Sequence, residues 1–130
     1  MTEEKAFSFL PMPDRSSKPR IKGMTMCLDQ GLGLKNTEDL LTICAEYVDL
    51  WKLGWATTQL QSREIVKNKV DLLRSQNISV SNGGTLLELS EHQGKAEELF
   101  TELVEIGCDV TEISSGSLDI DSDRVVDLIN

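Results

Sequence analysis

Short apolar runs rich in β-branched residues alternate along this chain with longer stretches in which apolar residues recur every three to four positions. The runs begin near residues 24, 47, 78 and 109. Strands that alternate with helices at such spacing are typical of βαβ units and a parallel sheet. Eight units of this kind form a (β/α)8 barrel of roughly 250 residues. The pattern therefore predicts an α/β chain of 130 residues that holds about four units, or half a barrel.

The boundaries of the predicted elements follow from turn and capping signals. Strands are expected over residues 24–29, 47–53, 78–82 and 109–114, and helices are expected to begin near Asn36 or Thr37, Ser62, Ser90 and Ser122. Ser90 and Gln93 have the spacing of a capping box, and Gly107 stands where a C-cap glycine belongs. The last helix has about two turns before Asn130, which we interpret as an interrupted barrel.

The charge of the chain divides it into an arm and an acidic body. Residues 1–23 contain all three prolines and an excess of bases, which predicts an N-terminal arm or linker ahead of a barrel half over 24–130. The net charge is −9, so the body repels phosphate backbones and nucleic acid is not an expected partner. We expect no membrane partner and a cytoplasmic location, because no apolar run approaches 18 residues and no signal peptide is evident. Three cysteines without a CxxC pair and a single histidine argue against zinc.

Polar residues cluster at the ends of the predicted strands. Asp29 ends the first, Lys52 lies near the end of the second, and Glu112 precedes Ser114 in the fourth. Because the carboxyl ends of parallel strands meet at one edge, we expect Asp29, Lys52 and Glu112 to share a cleft. Gly83-Gly84-Thr85, after the third strand, could bring N–H groups close to a phosphate. The alternative is a plain strand-to-helix turn in which glycine supplies a positive φ.

Four blocks of sequence resemble the phosphosulfolactate synthase family in their order and spacing. They are KPRIKGMTMCLDQGLG at 18–33, EYVDLWKLGWAT at 46–57, GGTLLE at 83–88 and EISSGS at 112–117. The resemblance implies a (β/α)8 barrel. It also implies the family reaction, in which sulfite adds to phosphoenolpyruvate in the presence of Mg²⁺. The product, (2R)-phospho-3-sulfolactate, leads to coenzyme M or related sulfonates.

The resemblance also implies roles for the strand-end residues. Lys52 would act as an electrostatic clamp on the anionic substrates, and Asp29 and Glu112 would be oxygen ligands of Mg²⁺. Glu88 would in addition orient Lys52 or a water on the metal. The implied catalytic residues are Lys52, Glu112 and Asp29, and those implied for the substrate and its phosphate are Gly83, Gly84, Thr85, Glu88 and Ser114.

Two departures from the family pattern leave the function open between alternatives. Gln30 stands where the family usually has a lysine, and Ser115 where it commonly has an aspartate. The chain is thus interpreted as a synthase-type enzyme, as a non-catalytic member with a binding or stress-protective role, or as an unrelated small α/β domain. Four strands leave two open sheet edges, so we expect the 130 residues alone to be inactive and to form homo-oligomers.

Overall fold

A computed structural model describes residues 5–130, which form a small parallel sheet with helices along the chain. The sheet has the order β1–β2–β3, with β1 at Met26–Asp29, β2 at Leu50–Leu53 and β3 at Ser79–Asn82. The helices are α1 (Leu34–Cys44), α2 (Arg63–Ser75), α3 (Gly84–His92), α4 (Ala96–Ile106) and α5 (Ser122–Ile129), and a 3₁₀ turn spans Thr57–Leu60. The prediction of a mixed α/β chain with parallel strands is confirmed over these residues.

The hydrophobic core lies on one face of this sheet. Trp51 and Val80 are neighbours in the register of β2 and β3, and both are fully buried. The helices that cover them contribute Leu41 from α1, Val66, Val70 and Leu73 from α2, and Leu103 and Ile106 from α4. Burial of these side chains by helices on one side gives a two-layer arrangement.

The other face of the sheet is largely bare. Met26 and Leu28 alternate with the buried positions of β1 and are 55% and 43% exposed. In the register of the strands, Leu28 lies beside Lys52, and Lys52 lies beside Ser81. This face therefore carries Lys52 towards the carboxyl edge of the sheet.

The predicted fourth strand is not formed within the described residues. Residues 109–114 make one parallel bridge, between Ser81 and Val110, and are otherwise irregular. Beyond Val110, the side chain of Asn82 replaces the backbone ladder: its Oδ1 accepts from the N–H of Glu112 at 2.9 Å, and its Nδ2 donates to the carbonyl of Glu112 at 3.2 Å. The segment therefore runs beside β3, but beyond Val110 it is held by the side chain of Asn82 and not by backbone pairing.

The capping box at Ser90 was a wrong prediction. Ser90 lies inside α3, where its hydroxyl donates to the carbonyl of Leu86 at 2.8 Å. The helix begins at Gly84, with Gly83 as the single residue between it and β3, and it buries Leu87 fully. Gly94, with a φ of 67°, separates α3 from α4.

The expected start of the first helix near Asn36 or Thr37 was also wrong, because α1 begins at Leu34 and Thr37 lies inside it, with its hydroxyl donating to the carbonyl of Gly33 at 3.1 Å. Three signals are confirmed: Ser62 caps α2, Gly107 ends α4 with a φ of 97°, and α5 begins at Ser122.

The N-terminal arm is attached to the amino edge of the sheet. Arg20 is buried, and its guanidinium donates to Asp49 at 2.8 Å and to the carbonyl of Glu46 at 2.9 Å. Asp49 also accepts from the N–H of Thr25 at 2.8 Å. Within residues 5–130, no helix combines the length and the apolar character that crossing a bilayer requires.

Candidate functional site

A cleft of about 250 Å³ lies where the carboxyl ends of β2 and β3 meet the loop around residue 114. Six of the predicted site residues line it, namely Lys52, Gly84, Thr85, Glu88, Glu112 and Ser114. Trp55 and Ser117 also line the cleft, and no functional role had been assigned to either from the sequence. Gly83 lies one residue before the cleft, and Asp29 lies outside it.

Lys52 and Glu112 form an ion pair within this cleft. The Lys52 Nζ lies 2.8 Å from Oε1 and 2.5 Å from Oε2 of Glu112. The two side chains are 21% and 31% exposed, so water and small solutes can reach both. The pair brings an ammonium cation and a hard oxygen ligand together in one accessible place.

The N-terminus of α3 opens on the same cleft. Gly83 precedes the helix, and Gly84 and Thr85 form its first turn. The first N–H groups of a helix have no acceptor within the helix, and the helix dipole makes this end favourable for anions. Together with Lys52, this first turn gives the cleft two kinds of donor to an anion.

Close packing explains the two glycines. A Cβ added to Gly84 would lie 2.7 Å from the Cβ of Ser114 and 2.9 Å from Oε1 of Glu112. A Cβ added to Gly83 would lie 2.7 Å from the carbonyl oxygen of Leu53. The φ of Gly83 is −81°, so the alternative of a positive-φ turn is wrong at this position. Gly84 allows the segment that carries Glu112 to approach the start of α3.

Glu88 is buried beside the cleft, and its hydrogen bonds hold a loop. Oε1 accepts from the hydroxyl of Ser114 and from the N–H of Gly116 at 2.8 Å, and Oε2 accepts from the N–H groups of Ser117 and Leu118 at 2.7 and 2.6 Å. Burial by itself raises the pKa of the Glu88 carboxyl, but these donors outweigh it and lower the pKa to about 2. The carboxylate thus contacts the loop, whereas the expected orienting contact with Lys52 is not among its hydrogen bonds.

The expected meeting of Asp29 with Lys52 was wrong. Asp29 pairs in register with Leu53, so its side chain points to the helix-covered face of the sheet. Its Oδ1 accepts from the N–H groups of Gly31 and Leu32, both at 2.7 Å. Its Oδ2 accepts from Trp51 at 3.1 Å and from Lys69 at 2.8 Å. Burial raises the pKa of this carboxyl, but the hydrogen bond from Lys69 and the other donors lower it on balance.

The buried position of Lys69 was not predicted from the sequence, although the sequence pattern around it indicates burial. It lies in α2 among Val66, Val70 and Leu73, on the stripe that faces the sheet, and all four are buried. A charged residue is rarely buried unless it is paired, so a lysine within an apolar stripe indicates a buried carboxylate partner. The partner is Asp29.

The carboxylates near the cleft differ in their ability to hold a cation. Both oxygens of Asp29 and of Glu88 are occupied by protein donors. Glu112 is accessible and has Lys52 as its charged partner. Residues 5–130 contain no group of three or more acidic, histidine or cysteine side chains arranged to hold a metal. Of these three carboxylates, Glu112 is the one with solvent access, and Mg²⁺ often binds through one or two carboxylates together with substrate phosphates.

Fold and site together define a parallel α/β protein with a polar cleft at the carboxyl ends of its strands. The particular family is shown by comparison with known proteins: residues 13–130 match the family model of (2R)-phospho-3-sulfolactate synthase (ComA). The chain belongs to this family, which confirms the resemblance drawn from the four blocks and excludes an unrelated α/β domain.

Three phosphosulfolactate synthases illustrate the relationship. That of Methanothermobacter thermautotrophicus is 44% identical over 124 residues, which is 95% of this chain and 48% of the relative. That of Methanocaldococcus jannaschii is 40% identical over 99 residues, or 76% of this chain and 39% of the relative. That of Bacillus subtilis is 33% identical over 109 residues, or 84% and 42%. The chain spans about half the length of these curated relatives and matches their N-terminal half.

Proposed function

We propose that this chain supplies the N-terminal part of the active site of a phosphosulfolactate synthase-type lyase. The substrates are phosphoenolpyruvate and sulfite. The sulfur of sulfite bonds to the CH2 carbon of phosphoenolpyruvate as the C=C π bond breaks, and the carbon that carries the phosphate takes up a proton, which gives (2R)-phospho-3-sulfolactate. The observation that carries the proposal is the position of Lys52, which faces the first turn of α3 across an accessible cleft. Two anions must be brought together in this reaction, and donors fixed in advance lower the cost of doing so.

The residues of the cleft divide the work between them. Lys52 and the first-turn N–H groups of α3 bind the phosphate, because a charged donor and a helix N-terminus both favour an anion. The hydroxyls of Thr85 and Ser117 lie 3.2 Å apart at the mouth of the cleft and can add neutral hydrogen bonds. As sulfite adds, Lys52 stabilises the negative charge that grows on the substrate.

Glu112 is the residue that would hold Mg²⁺ in this cleft. Bound there, the ion would offset the charge of the two anionic substrates and polarise a substrate oxygen. Asp29 has no part in this proposal, since its oxygens are engaged on the other face of the sheet. If Glu112 bound a cation in place of Lys52, Lys52 would be free to contact the phosphate.

The departure at Ser115 does not alter the lining of the cleft, because Ser115 is not among the residues that line it. Its hydroxyl oxygen accepts from the N–H of Ile120 at 2.8 Å, so Ser115 closes its own loop. The names of the relatives also support an enzyme over a non-catalytic binding protein. We therefore retain the synthase as the proposed function.

The test combines the chain with the part of a relative that it does not match. The 130-residue chain is mixed with the separately expressed C-terminal half of the Methanothermobacter thermautotrophicus relative. Phosphorus NMR then follows phosphosulfolactate formation from phosphoenolpyruvate, sulfite and Mg²⁺. We expect product from the mixture and none from either half alone. No product from a mixture in which the two halves bind each other would contradict the proposal.

Lys52→Ala tests the carrying residue in the same mixture. We expect turnover to fall below detection and phosphate affinity of the chain to weaken by roughly 1.5–3 kcal/mol, the value of a hydrogen bond to a charged group. The matched control is Lys67→Ala, because Lys67 is an exposed lysine paired with Asp71 on α2, away from the cleft. Equal phosphate affinity in the two variants would show that Lys52 does not bind the phosphate.

A further inference from the structure

Glu88 binds four donors that all come from one loop, residues 114–118. The donors are the hydroxyl of Ser114 and the N–H groups of Gly116, Ser117 and Leu118, which lie 26 to 30 residues further along the chain. The three N–H groups converge on the carboxylate as they do in the backbone nests that bind anions. Here the anion is a side chain of the protein itself.

The loop that Glu88 holds forms one wall of the cleft. Ser114 packs so closely on Gly84 that a Cβ there would collide with it, and Ser117 reaches the hydroxyl of Thr85. Upstream, the backbone of Glu112 is held by the side chain of Asn82. The segment 112–118 is therefore clamped at two points, by Asn82 at one end and by Glu88 at the other.

Only a carboxylate of this length satisfies the loop. An ionised carboxylate accepts at both oxygens. An amide in its place would direct its NH2 group at backbone N–H groups in either orientation, at Gly116 in one and at Ser117 and Leu118 in the other. An aspartate is one methylene shorter and cannot reach the same donors. Since Glu88 is 1% exposed, its bonds to the loop are charge-assisted and shielded from water.

We propose that Glu88 is a positioning residue of the site, whose carboxylate fixes loop 114–118 against α3 and thereby keeps Glu112 and Ser114 beside Lys52. The part of this inference that concerns ligand binding rests on the proposed function. The fixing of the loop does not, and it is measured separately.

The experiment compares the 130-residue chain with its Glu88→Gln variant by NMR. One readout is hydrogen exchange of the amides of Gly116, Ser117 and Leu118. The other is affinity for inorganic phosphate in the presence of Mg²⁺, so that competition between Glu112 and phosphate for Lys52 does not mask the effect. We expect these amides to exchange roughly 10- to 100-fold faster in the variant, as the loss of charge-assisted bonds implies. We expect phosphate affinity to fall about tenfold, while the amides of α2 keep their protection.

Glu91→Gln is the matched control, since Glu91 lies on the same helix but pairs with Arg124 at 2.7 Å and 3.0 Å. Neither readout is expected to change in it. Should Glu88→Gln fail to fold, Ser114→Ala removes one donor only and is expected to loosen the same three amides to a smaller degree.

Three outcomes separate the claims. Loop amides that stay protected in a folded Glu88→Gln variant overturn the positioning role. Loosened amides with unchanged phosphate affinity overturn it as well, because the loop then has no effect on the site. Loosened amides in a chain whose unaltered form binds no phosphate support the fixing of the loop by Glu88 and count against the proposed function.

Discussion

Lys52 already has an anionic partner, so any phosphate that enters the cleft competes with Glu112. The two oxygens of that carboxylate lie 2.8 and 2.5 Å from the ammonium. A cation that binds Glu112 removes the competitor, and a phosphate that binds Lys52 frees the carboxylate. Cation and anion should therefore strengthen each other's binding by the same factor, as linkage requires.

Glu112→Gln tests this competition. Without Mg²⁺, we expect the variant to bind inorganic phosphate roughly two- to fivefold more tightly, since a partly exposed ion pair is worth up to about 1 kcal/mol. We also expect Mg²⁺ to lose most of its enhancing effect on phosphate binding. Calorimetric titration with and without Mg²⁺ measures both.

Glu98→Gln is the control for this variant, because Glu98 pairs with Lys95 on the exposed surface of α4. It should behave like the unaltered chain. Weaker phosphate binding by Glu112→Gln in the absence of Mg²⁺ would show that Glu112 does not compete for Lys52.

The pH dependence of stability should carry a contribution from Glu88. Its pKa is about 2 in the folded chain against an ordinary value of 4.5. The stabilisation is present above pH 4.5 and is lost as the pH falls from there through 2, because the folded state takes up the proton at a lower pH than the unfolded state does. It amounts to roughly 3 kcal/mol at neutral pH.

Urea unfolding at pH 7, 4 and 3 checks this, with Glu88→Gln beside the unaltered chain. Asp29, Asp49 and Glu91 also have lowered pKa values, so both proteins lose stability in acid. The difference between the two proteins should shrink as the pH falls. A difference that stays constant would mean that the Glu88 carboxylate is not the ionised group that stabilises the loop.

At the scale of elements, α2 is joined to the sheet by a buried ion pair. Lys69 and Asp29 are each 1% exposed at the side chain and lie 2.8 Å apart. We expect Asp29→Asn to destabilise the chain by about 3–5 kcal/mol, because it leaves a buried lysine without its counter-charge. We expect the double variant with Lys69→Gln to regain part of that loss.

Urea unfolding at pH 7 measures both variants, with Asp71→Asn on the exposed face of α2 as the control. The control should change stability by less than about 0.5 kcal/mol. If the Asp29→Asn variant were as stable as the control and its Mg²⁺ binding were altered, Asp29 would be a metal ligand and not the partner of a structural ion pair.

Some patterns within single elements could be predicted from the sequence, as could the meeting of Lys52 and Glu112, whereas the contacts of Asp29 and Glu88 could not. Ser62 and Gly107 act on the backbone next to them, so their capping roles were evident. The face on which Asp29 lies depends on the register between β1 and β2, because a shift of one residue moves its side chain to the other face of the sheet. The alternation of residues within β1 alone does not determine this register. The partners of Glu88 lie too far along the chain for any local pattern to indicate them.

The fourth strand shows a similar limit. Residues 109–114 have the composition of a strand, but strand formation also requires a backbone partner. The backbone of β3 pairs with this segment at Ser81 and Val110. Beyond that point, the side chain of Asn82 forms the hydrogen bonds to the segment. A local propensity was thus overridden by one neighbouring polar residue.

For the whole molecule, we expect the bare face of the sheet to govern self-association. Met24, Met26, Leu28 and Val110 are exposed, and Met26 and Leu28 lie on the face opposite the core. We propose that the 130-residue chain by itself forms homo-oligomers through this face and the edge of β1, because association buries both apolar surface and unpaired backbone. The acidic charge should oppose this, so oligomers are expected to increase with salt.

Size-exclusion chromatography with light scattering, at low and moderate salt, measures the mass. Met26→Lys should shift the population towards monomer, whereas Ile43→Lys, on an exposed position of α1, should not. A cooperatively unfolding monomer at all concentrations would contradict the proposal.

The clamp on residues 112–118 has a consequence for synthesis of the chain. Asn82 and Glu88 both precede the segment that they hold, and the β3–α3 unit that carries them packs on strands that are earlier still. As a ribosome extends the chain, the acceptors for this wall of the cleft are translated before the wall itself. Domains generally fold from the N-terminal side as they emerge, so residues 112–118 can dock during translation.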